Sequence, residues 1–230
     1  MKKLRKELGE YSNPEKAKIS QRFFKTGKGE YGEGDIFLGL TVPQQRTIAK
    51  SASERILLDD VEMLLGSEIH DERMVGLLIL VDKYKRADKK TVYDFYLANI
   101  KGVNNWDLVD LSAPKIVGNY LLGKKDREIL YELARSENLW ERRIAIVSTF
   151  AFIREGEFID SLKISKILLG DKQDLIHKAV GWMLREVGKK DREILEKFLK
   201  ENYSELPRTT LRYAIERFGD EERKEWLGGC

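Results

Sequence analysis

Glu72-Arg73-Met74-Val75-Gly76-Leu77, Arg142-Arg143-Ile144-Ala145-Ile146-Val147 and His177-Lys178-Ala179-Val180-Gly181-Trp182 are three versions of one phrase, in which charge is followed by small and large apolar residues. Their basic residues at 73, 143 and 178 are 70 and 35 apart, and further steps of 35 reach Leu108 and Tyr213. Five units at one period, without convincing strand patterning, indicate stacked helix pairs in which each unit buries its apolar face on its neighbours. The fold expected is therefore all-α: a solenoid of stacked antiparallel helix pairs of the HEAT, armadillo or TPR kind, with residues 1–230 as one domain.

Outward from these phrases, local signals set the ends of the early helices. Leu4, Leu8 and Tyr11 recur at helical spacing, and Asn13-Pro14-Glu15 reads as an N-cap with proline at the first helical position. That second helix should turn Ala17, Ile19, Phe23 and Phe24 to the core and stop near Thr26-Gly27-Lys28-Gly29. Tyr31 to Gly39 is glycine-rich but lacks phosphate-loop spacing, so it reads as a shaped connector. Thr41-Val42-Pro43-Gln44 then launches a helix carrying Ile48, Ala49 and Ala52.

Composition narrows the function classes. With 42% hydrophobic and 35% charged residues in 230, the chain can bury a core without staples, and no apolar run approaches a membrane span. The N-terminus lacks the apolar stretch of a secretory signal, so export is not expected. A single cysteine, Cys230, excludes a disulfide framework and fits a cytoplasmic location. Two histidines, His70 and His177, stand far apart without ligand spacing, so neither a metal nor another cofactor is expected. Net charge is only +3, yet residues 1–30 hold nine Lys/Arg against four Glu while residues 31–60 hold three against five acids. A basic segment of that kind suits a phosphate-facing surface or a solvated helix face.

Asn104-Asn105-Trp106-Asp107-Leu108-Val109-Asp110 is where chemistry enters. Trp106 and Asp110, four apart, share one helical face, whereas Asp107 lies on another and reads as an early-turn charge of lesser importance. In the 35-residue register Asp110 stands where sister units carry Val75 and Ala145, so the acid is either a tolerated surface exchange or a site. By periodicity alone Trp106 and Trp182 read as core, Gly181 allows another element or a ligand to approach closely, and Arg143 rides in solvent by default or holds a phosphate.

Taken in order, Asn13-Pro14-Glu15-Lys16-Ala17, Phe37-Leu38-Gly39 with Pro43 and Arg46, Trp106-Asp107 with Asp110 and Pro114, the Trp140 to Arg143 helix start, and Lys178-Ala179 with Gly181-Trp182 and Leu184-Arg185-Glu186 resemble the AlkD-type DNA alkylation-repair glycosylases. The resemblance implies a right-handed-type superhelix of HEAT-like repeats whose concave face holds duplex DNA, and excision of positively charged alkylated purines such as 3-methyladenine and 7-methylguanine. By position it implies a catalytic carboxylate at Asp110, cleft tryptophans at Trp106 and Trp182, and a phosphate-contacting arginine at Arg143, with Phe23 and Lys178 also toward DNA. Two positions depart from the best-known members: Phe23 replaces a cleft tyrosine and Asn105 replaces a tryptophan. The chemistry suits these residue types, because a cationic alkylated purine leaves readily and a carboxylate can stabilise the oxocarbenium-like sugar. The expected partner is duplex DNA containing alkylated bases, with a monomeric protein, no membrane and no obligatory protein partner. A non-catalytic helical-repeat scaffold binding a protein partner or DNA is the rival reading.

Overall fold

The computed structural model describes residues 1–228; Cys230, on which the reading of the redox compartment rested, lies outside the described residues. The described chain is helical, and its β-structure is one isolated parallel bridge between Ile36 and Ile69. It divides into two compact units, Met1–Ser112 and the remainder from Ala113. No described helix is long and apolar enough to cross a membrane.

The first unit contains α1 (Lys2–Glu10), α2 (Pro14–Phe23), α3 (Val42–Ala52), α4 (Leu58–Leu65), α5 (His70–Arg86), α6 (Lys89–Ala98) and α7 (Trp106–Ser112). Its centre is α5, whose Val75, Leu77, Ile79 and Leu80 are fully buried among α3, α4, α6 and α7. A helix apolar on most of its circumference must be surrounded, and α5 is. Leu4 and Leu8 of α1 and Ile48, Ala49 and Ala52 of α3 are buried as expected, whereas Tyr11 caps the end of α1 and is 44% exposed; Gln44 closes the N-terminus of α3 by accepting from the Thr41 backbone at 2.8 Å.

Helix α2 starts as its sequence indicates, with the Asn13 side chain accepting from Lys16 N at 3.0 Å and Pro14 in the first turn. Its expected apolar face is not a core face: no residue of α2 is buried, and Ile19 and Phe23 are 66% and 63% exposed. The helix ends at Phe23, one residue before the side chain that does turn inward, and Lys25 takes a left-handed backbone. Phe24 therefore leaves the helix to join the interior, and α2 is held at its start, where Gly39 lets the connector lie against the backbone of Asn13 and Ala17.

The second unit contains α8 (Asn119–Leu121), α9 (Glu128–Ala134), α10 (Leu139–Ser148), α11 (Phe150–Arg154), α12 (Ile159–Ile167), α13 (Asp174–Lys190), α14 (Arg192–Glu201), α15 (Arg208–Ala214) and α16 (Asp220–Gly228), with a π-turn at Pro114–Gly118. Here α13 is central, packed on α10, α12, α14 and α15. Side-chain caps at Asn138 and Asp191 start α10 and α14.

The repeat is visible in side-chain bonds. Arg73 and Arg142 each donate to the carbonyl six residues earlier, Ser67 at 2.7 Å and Ser136 at 2.9 Å, and a His177 ring nitrogen lies 2.6 Å from the Asp171 carbonyl. Arg142 and His177 keep the 35-residue step, but Arg73 aligns with Arg142 rather than Arg143. Counted from their helix starts, Asp110, Arg143 and Lys178 are all fifth residues, sharing their slot with Met74 rather than with Val75 and Ala145.

Gly181 permits a close approach of α13 and α15, since a Cβ there would lie 2.5 Å from Tyr213 Cβ and 2.6 Å from Thr210 O. A Gly181→Ala change should lower stability by about 1–3 kcal/mol, because overpacking against backbone exceeds the roughly 1 kcal/mol that alanine adds to a helix. Gly9→Ala, which meets nothing within 4 Å, should raise it by up to about 1 kcal/mol. Denaturant midpoints of the two variants check both signs.

Candidate functional site

Trp106 opens α7 and is half-buried, as is Asp110 one turn later, while the intervening Leu108 and Val109 are fully buried. A seven-residue helix does not hold itself, so its start must be fixed by tertiary contacts. Two kinds do so. An aromatic series runs from Trp106 to Phe24 (5.2 Å, 18° between planes), to Phe37 (5.0 Å, 19°) and to His70 (4.5 Å, 24°), with Phe23 meeting Trp106 edge-on at 5.8 Å. Offset and edge-on pairs of this kind contribute about 0.5–1.5 kcal/mol each beyond the area they bury.

The second is a buried polar chain. His70, 2% exposed, has Nδ1 3.2 Å from Asp35 Oδ2 and Nε2 2.9 Å from Asp107 Oδ2. Arg73 Nη2 donates to Asp35 Oδ1 at 2.6 Å, and Asn105 Nδ2 donates to Asp35 Oδ2 at 3.2 Å. Asn105 Oδ1 in turn accepts from Trp106 N at 2.8 Å. Asp107 is thus not a solvated early-turn charge; it is a partner of a buried histidine. Neighbouring Asp71 anchors the connector, accepting from Leu38 N at 2.7 Å, Leu40 N at 3.2 Å and Gln45 Nε2 at 2.8 Å.

These contacts set the protonation states. Burial disfavours a charged His70, but hydrogen bonds to Asp107 and Asp35 and the charge of Asp107 outweigh it and raise the imidazole above its ordinary range, against some opposition from Arg73. Burial pushes the Asp35 carboxyl up, while His70, Arg73 and Asn105 together bring it below the usual carboxylate range. Tyr96, fully buried with its hydroxyl 3.0 Å from Ser112 Oγ, is pushed up by burial and, to a lesser degree, by the charge of Asp110.

The second unit holds the remaining sequence-derived residues. Arg143 is 5% exposed and donates through Nη1 to the Leu175 carbonyl at 2.6 Å, joining α10 to α13. Lys178 pairs with Asp174 at 2.8 Å, and Trp182, one turn further along α13, is half-buried against Phe150 at 5.8 Å. Gly181 serves the approach of another element, α15. Phe23, Trp106 and Asp110 are therefore grouped in the first unit, and Arg143, Lys178 and Trp182 in the second. Sequence reasoning turned Phe24 to the core but gave no site role to it or to Phe37, Asp35 and His70. A signal was available: His70 and Trp106 each open a helix, 36 residues apart, and each is followed by an aspartate. Among the described residues no cluster of His, Cys, Asp and Glu could hold a metal ion; His70 lies between its two carboxylates, one ring nitrogen on each.

Tandem helices repeating one carbonyl-bonding pattern define a helical-repeat protein, here with a half-buried acid and indole at one helix start. The chain belongs to the DNA alkylation repair enzyme family, whose model matches residues 4–218. Among solved structures it is similar to one described as a "Predicted DNA alkylation repair enzyme from Enterococcus faecalis", with 20% identity over 91% of this chain and 97% of that one and a TM-score of 0.73. No curated protein matches.

The His70 chain gives stability a pH dependence of known sign. Because folding raises the imidazole, its contribution is complete below 6.5, the ordinary value, and is lost as pH rises through the folded-state value. Asp35 works the other way, contributing above its ordinary 3.8 and losing this as pH falls through its lowered value. The melting temperature of the wild type should therefore decline on the alkaline side, and His70→Gln should melt lower at pH 7 and lose that decline. Thermal melts of both proteins from pH 6 to 9.5 test this, and parallel curves would remove His70 as the cause.

Proposed function

We propose that this protein is a monofunctional DNA glycosylase that hydrolyses the N-glycosidic bond of cationic alkylated purines, such as 3-methyladenine and 7-methylguanine, in duplex DNA. The observation that carries this reading is the half-buried Asp110 one turn after the half-buried Trp106, at a helix start fixed by buried ion pairs, in a chain of the DNA alkylation repair family.

Alkylation at N3 or N7 gives the base a positive charge and makes it a good leaving group. As the bond breaks, cationic character passes to the sugar. Asp110 supplies an anion for that transition state and an acceptor that orients water, and electrostatic stabilisation of this type acts without proton donation to the leaving base. The indole of Trp106 offers a π face to the cationic nucleotide, worth about 0.5–2 kcal/mol depending on desolvation. Trp182 is also assigned a π contact with the DNA. Phe23, exposed beside Trp106, widens the aromatic surface without a hydroxyl. Arg143 and Lys178, which share one repeat slot on packed helices, are assigned to phosphates and so to register on the duplex. The protein acts as a monomer without a metal or other cofactor.

Incubation with duplex containing 7-methylguanine, followed by cleavage at abasic sites, tests the activity directly; intact strands after prolonged reaction at excess enzyme would reject it. Asp110→Asn keeps the shape and removes the anion, so base release at saturating enzyme should slow by about two to three orders of magnitude, with DNA affinity nearly unchanged. Lys178→Ala and Arg143→Ala should each lower the slope of log affinity against log salt by about 0.9 if each meets one phosphate. Trp182→Ala should leave that slope alone and reduce base release. An unchanged slope for Arg143→Ala would confine that residue to the joint between α10 and α13.

A further inference from the structure

We infer that His70 is a positioning residue for this reaction: clamped as an imidazolium between Asp35 and Asp107, it fixes the start of α7 and thereby the placement of Trp106 and Asp110. What α7 does rests on the glycosylase reading above; what His70 does rests on the geometry around it.

Three observations converge. The first is donor arithmetic. Both ring nitrogens face carboxylate oxygens, at 3.2 and 2.9 Å. An ionised carboxylate only accepts, and a neutral imidazole has a single N–H, so one of the two contacts would set lone pair against lone pair unless the ring carries both protons. The second is charge balance. The charged groups facing His70 are Asp35 from the connector, Asp107 from α7 and Arg73 from its own helix; Asn105 adds only an amide. The nearby acids Asp71 and Glu72 are turned elsewhere, to Leu38 and Leu40 amides and to Arg5. With His70 charged, two cations meet two anions, whereas a neutral ring leaves an uncompensated buried negative charge. The Phe37 ring stacked at 4.5 Å adds a π face to the imidazolium.

The third is the mechanical path. Trp106 is flanked by Asn105 and Asp107, and both flanking side chains are tied to this cluster, the first to Asp35 and the second to His70. The Trp106 backbone N–H is itself bound by Asn105. Loss of the His70 proton takes one of the ring's two donors, so either Asp107 or Asp35, which also holds Asn105, loses its hydrogen bond to the ring, and an unbalanced charge remains at the helix start. The indole and the acid one turn beyond it then lose their fixed placement. Catalytic groups displaced by about 1 Å can lose about a hundredfold in rate, so a loosened α7 is read in base release rather than in binding to undamaged duplex.

The test uses the full chain. Long-range 15N spectra of its two histidines, assigned with the His70→Gln variant, report the ring protons of His70 across pH, and single-turnover excision of 7-methylguanine at saturating enzyme is followed from pH 6 to 9 with the uncatalysed rate subtracted. Expected are both ring nitrogens of His70 protonated at pH 7 and an alkaline fall in the wild-type excision rate that follows the His70 titration. Asp35→Asn should move that fall to lower pH. His70→Gln should excise about tenfold or more slowly at pH 7, with unchanged affinity for undamaged duplex and no alkaline fall. A singly protonated His70 at pH 7, or a wild-type rate that stays flat through the His70 titration, overturns the inference while the glycosylase reading stands. Absence of excision by the wild type at every pH overturns that reading and the role of His70 with it. Should His70→Gln fail to fold, the wild-type profile and the Asp35→Asn shift decide.

Discussion

The contact of His70 with Asp35 and Asp107 joins three segments that are distant in sequence: the glycine-rich connector, the start of α5 and the start of α7. Apolar burial is not directional and cannot by itself fix the register of a seven-residue helix. Charges drawn from water are costly unless each meets its counter-charge at hydrogen-bond distance, so this cluster is satisfied in one arrangement and penalised in its neighbours. Removing one partner alone would cost about 3–5 kcal/mol, a large fraction of the stability of an ordinary domain. The aromatic series follows the same geometry, since His70 is both its last ring and the centre of the ion pairs.

Much of the architecture was legible because a repeat must solve the same problem several times. Three of the repeats open a helix with a polar side chain reaching back to the carbonyl six residues earlier, and the sequence shows that as basic residues or histidine recurring near a step of 35. Sequence could not decide whether Arg142 or Arg143 takes that role, since the two are adjacent and only the bond to Ser136 separates them. The inward faces of α1 and α3 were likewise readable from apolar spacing. The face of α2 was not, because spacing assumes the helix continues through Phe24, whereas the backbone turns after Phe23.

At the candidate site, Trp106 and Asp110 were legible as an unusual pair at helical spacing. Their support was not, since its contacts join residues 35 to 70 apart, and a sequence lists charges without stating which meet. Two histidines without metal-ligand spacing gave no reason to expect one of them between two carboxylates. Asn105, where the resemblance leads one to expect an aromatic residue, is fully buried and contributes an amide to this same chain. The departure is therefore part of the support of Trp106 and not an outward feature.

Helix α2 is secured at its first turn and at Phe24 just past its last, and buries nothing of its own between them. Substitutions on its outward side leave the core volume and the buried charges untouched, so folding restrains Ile19 little and Phe23 only through its ring contacts. Yet Phe23 stands against Trp106. A helix that buries none of its own residues thus borders the indole to which chemistry is assigned, and mutational drift along α2 can retune what that indole accepts without disturbing the buried charges.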